Sequence, residues 1–214
     1  MDRNQQAFYE KTAQQVMTNL KKRRIDSSYA ETMDQARNEI LAMIPDGSSV
    51  YRCGSRTLIE IGFWESLAAK PGIDMVNPFA AGLTPEQSMA ERIRGFSSDF
   101  LVAGANAITL DGRIVNLDRT GNRVAAMIFG PKKVILAVGM NKVVPDLDTA
   151  RTRIKHLAAP ITAAMVKAKT PCAADGLCHD CRTPDRLCNA WSIIEGQLIE
   201  GRIHVKLIGQ NLGY

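Results

Sequence analysis

Phe8, Thr12, Val16 and Leu20 recur at every fourth position, the stripe of an amphipathic helix, and the stripe ends in the basic run Lys21-Lys22-Arg23-Arg24. Cations at that pole complement the helix dipole, so the run reads as a solvated helix end, with a nucleic-acid contact as the weaker alternative. Ser28 and Glu31 have the spacing of a capping box. They predict a second helix that turns Met33, Ala36, Ile40 and Ile44 inward until Pro45-Asp46-Gly47 stops it. Residues 1–45 therefore read as an N-terminal helical segment, and residues 46–214 as an α/β domain.

In that second part the pattern changes to short apolar runs between turn signals. Ser49 to Arg52 predicts a strand, and Gly54-Ser55 turns it into a helix from Thr57 to Ala69, closed by Lys70-Pro71-Gly72. Ile73 to Val76 is a further strand, and Thr84, Pro85 and Gln87 are the N-cap, N1 and N3 residues of a helix. Phe100 to Ala103 is a strand, and Asp111-Gly112 joins two more as a two-residue hairpin. Val134 to Val138 is apolar throughout, as in a strand buried on both faces. Pro145-Asp146-Leu147 opens a helix running through His156, and Ile203, Val205 and Leu207 alternate with His204 and Lys206 in a late strand whose polar face looks to solvent. Strand–helix alternation predicts an α/β fold with a largely parallel sheet, and the hairpin makes the sheet mixed.

Composition narrows the class. The chain has 214 residues, 45% hydrophobic and 23% charged, which excludes a disordered or fibrous protein and suits one large domain. An aromatic share of 6% argues against a surface built for stacking bases, and a formal charge of +5 permits an anionic ligand without naming one. The polar N-terminus has no apolar signal region and no stretch is long enough to span a bilayer, so the expected location is the cytoplasm, away from membranes. No P-loop or GxGxxG motif supports a nucleotide cofactor.

Candidate binding residues concentrate in the segment around the hairpin. Asn106, Asp111, Asn116, Gly121, Asn122 and Arg123 sit beside strong strands, where open α/β sheets bind ligands. Asn side chains donate and accept, Gly121 admits a close approach, and Arg123 can grip a carboxylate or phosphate in a fork. The helix after Gly121 could turn its N-terminus to an anion. The plainer alternative is that Asn116, Asp118 and Asn122 satisfy turn backbone. Asn141 and Lys142 follow the central strand, where the lysine could reach an anionic ligand or lie in solvent. Glu60, within an apolar helix, is a candidate base or nucleophile or else a paired structural charge. The histidines, His156, His179 and His204, assemble no catalytic triad.

The cysteines fall into two groups. Cys53 precedes Gly54-Ser55 and reads as an isolated buried thiol. Cys172, Cys178, Cys181 and Cys188 have the spacing C-x5-C-x2-C-x6-C, with Pro171, Gly176 and Pro184 in the intervening loop. Four thiolates suit zinc or an iron–sulfur cluster, with His179 as an alternative ligand; free redox thiols and a disulfide are the other readings. The spacing matches neither the bacterial ferredoxin run nor a zinc finger.

Several segments together resemble one family. These are Gly54-Ser55 with Thr57-Leu58 and Glu60-Ile61-Gly62; Asn106-Ala107-Ile108-Thr109 with Asp111-Gly112 and Val115-Asn116; Gly121-Asn122-Arg123-Val124-Ala125-Ala126; Gly130-Pro131-Lys132-Lys133-Val134; Gly139 with Asn141-Lys142; and the cysteine motif. From about residue 5 onward the chain resembles the LUD-domain family, lactate-utilisation proteins of the LutC/YkgG type. The resemblance implies a three-layer α/β/α fold of the NagB/RpiA/CoA-transferase group, a ligand at the strand C-terminal edge, and a role in oxidising L-lactate to pyruvate beside iron–sulfur partner subunits. For a small-molecule enzyme or binding subunit, the expected pocket uses Gly54, Ser55, Asn106, Asn116, Asn122, Arg123 and Lys142 to hold a small anionic organic acid or phosphate-containing ligand. The chain lacks the cysteine repeats of the family's larger subunit and its Glu60 lies in a different pattern from the CoA-transferase glutamate, so three functions stand side by side. They are a small-molecule enzyme or binding subunit, an iron–sulfur electron-transfer or assembly subunit, and an enzyme fold with a structural zinc or thiol site. The amphipathic N-terminal helices offer a surface for a homodimer.

Overall fold

A computed structural model describes residues 2–214. The chain runs α1 (Arg3–Lys22), β1 (Asp26–Ala30), α2 (Met33–Ala42), β2 (Ser49–Arg52), α3 (Arg56–Glu60), α4 (Phe63–Ala68), β3 (Asp74–Val76), α5 (Pro85–Arg94) and β4 (Phe100–Gly104). It continues with β5 (Ala107–Thr109), β6 (Ile114–Asp118), α6 (Asn122–Ile128), β7 (Lys133–Gly139), β8 (Val143–Val144), α7 (Leu147–Arg153), α8 (Ala159–Met165), α9 (Pro171–Asp175), β9 (Ala190–Ile194) and β10 (Ile203–Ile208).

The main sheet has six strands in the order β1-β10-β7-β4-β2-β3, every neighbouring pair parallel. β7 sits in its interior, as a run apolar on both faces requires. Leu101, Val134, Leu136, Val138, Val205 and Leu207 point to one side, where Ala13, Val16 and Leu20 of α1 and Ala126 and Met127 of α6 meet them. Val50, Val102, Ile135 and Ala137 point to the other, against Ala36 and Ile40 of α2, Leu58 of α3 and Phe63, Trp64 and Leu67 of α4. The result is the expected α/β fold with helices on both faces of a mostly parallel sheet.

The hairpin strands do not join that sheet. They build a second one, β8-β5-β6-β9, with β5–β6 and β6–β9 antiparallel and β5–β8 parallel. One face of it adds Ile108, Ile114 and Ile194 to the core above the main sheet. The other face, with Ala107, Val115 and Val144, packs on Ala150 of α7 and Ile154.

Five elements differ from the sequence pattern. Ser28 and Glu31 do not form a capping box: Asp26–Ala30 is an edge strand paired with β10, and Thr32 caps α2 by accepting from the Gln35 N–H at 3.2 Å. An edge strand tolerates the polar residues there because part of it faces water. In α1, Phe8 is 63% exposed, and the buried face starts at Ala13. The helix after Ser55 breaks at Gly62, whose φ of 65° starts α4 in a new direction. The helix opened by Asp146 continues past His156 through a π turn, Ile154–Ala158, into α8. The polar face of β10 is covered rather than solvated: Lys206 is buried and paired with Glu39, and His204 is half-buried against Ser28 Oγ at 2.8 Å.

Candidate functional site

From β2 the chain goes to β3 on one side and then crosses to β4 on the other. Open α/β sheets bind ligands outside the strand carboxyl ends at such a reversal. A cavity of about 580 Å³ opens there. Gly54 and Ser55 follow β2, Gly104, Ala105 and Asn106 end β4, and Lys142 lies just past β7. Asp118 to Thr120 and Asn122 form a polar flank, while Ile154, Ala158, Thr162 and Met165, from the π turn and α8, form the opposite wall. Gly104 is where the backbone needs the missing side chain: a Cβ there would stand 2.9 Å from Ser55 Oγ, the hydroxyl that caps α3 by accepting from the Leu58 N–H.

Lys142 is 3% exposed and donates one hydrogen bond, to Thr57 Oγ1 at 2.8 Å. Burial, with Arg153 and Arg123 nearby adding repulsion, brings its amine down to about 7 from the ordinary lysine value, and Glu60 offsets this only in part. Arg153 donates to Asn141 O at 3.1 Å and Asn106 O at 2.7 Å, while its second terminal nitrogen is buried with no partner. Among the described residues, neither Lys142 nor Arg153 forms an ion pair with a carboxylate. An amine poised near neutrality can act as an ammonium, accept a proton or attack a carbonyl.

Arg123 is different. Its Nε donates to Asp118 Oδ1 at 3.0 Å, its Nη1 to Gly104 O and Asn116 Oδ1 at 2.9 Å, and its Nη2 to Asn106 Oδ1 at 3.0 Å and Leu117 O at 3.2 Å. Asp118 also accepts from the Arg123 and Val124 N–H groups, so the anion at the start of α6 is the protein's own. Asn106 and Asn116 lock the same corner: Asn116 Oδ1 accepts from the Asn106 N–H, and Asn106 Oδ1 from the Leu117 N–H.

The last residues of the chain complete the floor. Asn141 grips them at two points, accepting from the Leu212 N–H at 3.1 Å and donating to Gly213 O at 3.0 Å. Glu60 accepts from the Gly213 N–H at 2.6 Å and from Arg56 Nε at 2.9 Å. Tyr214 thereby joins the cavity wall.

The four C-terminal cysteines gather beside this cavity. Cys172 lies in α9, and Cys178, Cys181 and Cys188 follow in a stretch without regular structure. All four line one small hollow of about 20 Å³ together with Lys155, His179, Asp180 and Arg186. Asp180 pairs with Lys155 at 2.7 Å and Arg186 at 2.9 Å, and His179 with Asp175 at 2.7 Å. Among the described residues, no three ligand-type side chains converge as oriented here to hold a metal ion. Cys188 lies on the walls of both the hollow and the larger cavity.

A family model for the LUD domain matches residues 13–208. The chain belongs to the LUD-domain family. Among solved structures, this LUD domain is similar to a DUF162 family protein from Deinococcus radiodurans at 13% identity and a TM-score of 0.52, over 94% of this chain and 96% of that one. That likeness is one of fold. A second, to ribose 5-phosphate isomerase A from Neisseria gonorrhoeae, has 14% identity and a TM-score of 0.35 over 58% of this chain and 64% of that one, too slight to carry an argument. No curated protein matches the chain. No helix among the described residues is long and apolar enough to cross a membrane.

The LUD domain brings Gly54, Ser55, Asn106, Asn122, Arg123 and Lys142 to one cavity. It leaves Asp111 away from that cavity, paired with Arg23 and Arg113 beside the hairpin turn. Asn116 is fully buried behind it, Gly121 precedes α6 outside it, and Glu60 and Asn141 hold the C-terminal residues instead of facing it. Cys53 is 1% exposed, and burial pushes its thiol up to about 12. The sequence reading missed Arg153, Arg56, Arg92, Arg119, Phe79 and Tyr214. Only Arg153 left a signal, an arginine in the first helix after the strand-end lysine.

Proposed function

We propose that this LUD domain binds an anionic organic ligand at the strand-end cavity, in organic-acid metabolism of the lactate-utilisation type. The observation that carries the reading is Lys142, a buried cation on the cavity wall with no carboxylate partner; the neighbouring Arg153, half-buried and not itself on that wall, also lacks a carboxylate and leaves one guanidinium nitrogen unsatisfied. Buried charges are ordinarily paired, and an anion supplied by a ligand would give Lys142 its counter-ion. Family membership supplies the metabolic setting.

Shape refines the ligand class. A cavity of about 580 Å³ falls in the roughly 300–1,000 Å³ range of sites for drug-sized molecules, far more than a three-carbon acid fills. Lys142 marks one polar end, and Ile59, Ile154, Met165, Val166 and Leu187 provide apolar wall. An anionic head on a larger apolar body fits this division better than lactate alone.

Calorimetric titration tests the proposal, with lactate, pyruvate and a series of longer acyl and aryl carboxylates and phosphates. The expected result is saturable binding that tightens with apolar size, with uptake of protons above neutral pH as Lys142 is recharged. Lys142→Met should weaken the best ligand by at least about tenfold while circular dichroism stays unchanged. Binding that Lys142→Met leaves intact would overturn the assignment.

A further inference from the structure

The stretch from Gly176 to Asn189 has no helix or strand and not one buried residue. Hydrophobic burial therefore does not account for its order, and a connection of this length without secondary structure needs another tie. Four cysteines from α9 and this stretch line a single hollow, and all four are free thiols.

We propose that Cys172, Cys178, Cys181 and Cys188 bind one zinc ion as a tetrahedral four-thiolate site that staples this segment to α9. As the thiols stand, the hollow of about 20 Å³ is little more than the ~10–15 Å³ that one water needs, a space on the scale of a single ion. Four thiolates around Zn²⁺ leave a net charge of −2; Lys155 and Arg186 at the hollow's edge, with Asp180 between them, add a net +1 that offsets part of it. Soft thiolate ligands select zinc over the hard cations. Among the described residues no three ligand-type side chains converge as oriented, so zinc loading requires the thiols to turn toward the hollow.

Elemental analysis of the full chain, purified under reducing conditions and without added metal, provides the test. The expected content is about one zinc per chain, with negligible iron and sulfide. Replacing zinc with cobalt should give the intense thiolate-to-cobalt absorption and the visible bands of a tetrahedral site. The Cys178→Ser/Cys181→Ser double variant should lose the metal. If that variant does not fold, cobalt titration of the unaltered chain still decides, because saturation at one equivalent with release of thiol protons is required. Iron with inorganic sulfide, disulfide-linked cysteines after purification under reducing conditions, absence of any metal in both preparations, or zinc retained by a folded double variant would each overturn the proposal.

Discussion

An arginine in a glycine- and asparagine-rich loop suggests a grip for an anion, yet the protein itself takes every N–H of the Arg123 guanidinium. The side chain joins the end of β4, the end of β6 and the start of α6. Its partner Asp118 is equally enclosed, each side chain being 11% exposed. Removing one member of such a pair leaves a buried charge and several carbonyl and amide oxygens without donors. Arg123→Ala should therefore lower stability by about 3 kcal/mol with no ligand present, read from urea unfolding. Arg123→Lys should recover little of it, because one ammonium cannot reproduce a planar five-donor fork. A loss under about 0.5 kcal/mol would contradict the structural role. Lys142 is the converse case. Its place after an apolar strand was legible, but not that it would be buried with a single hydroxyl partner. That depends on Thr57, which lies far away in the sequence.

Among elements, local signals succeeded where one stretch of chain carried the cause. The Thr84-Pro85-Gln87 start of α5 forms a full capping box, and Asp111-Gly112 makes its hairpin. They failed where a distant strand decided. Asp26–Ala30 is a strand because β10 offers an unpaired edge, and β10 has no exposed polar face because α2 covers it through Glu39 and Lys206. The packing of α5 against β2 is similarly non-local. Gly95, just after α5, lies over the ring of Tyr51, which is fully buried. A Cβ there would stand 2.5 Å from the ring's Cγ, and the ring is fully enclosed by the core. Gly95→Ala should thus cost about 1–3 kcal/mol in thermal or denaturant unfolding through overpacking. A neutral substitution would mean that α5 can slide freely on the sheet.

For the whole molecule, the buried amine ties stability to pH. Folded Lys142 titrates near 7, against 10.5 for an ordinary lysine. Below about pH 7 both states carry the ammonium, and the cost of burying it is present in full. Between the two values the unfolded chain holds a proton that the folded one has released, so stability rises with pH; above both, the cost is gone. Lys142→Met should accordingly be more stable than the unaltered protein near pH 6, with the advantage shrinking toward about pH 9. Urea unfolding of both proteins across that range checks this, and a pH-independent difference would refute it. The sequence by itself determined the α/β class, the interior position of β7, the hairpin and the clustering of four cysteines, since each follows from short-range periodicity, turn chemistry or spacing. Tertiary structure alone decided that the hairpin leaves the main sheet for a second one. It also decided that Arg123 is committed to the scaffold, and that Lys142 is buried near Arg153 without a carboxylate partner. Charge pairing and burial are set by which strands become neighbours, and strand order is not encoded in any single stretch of the chain.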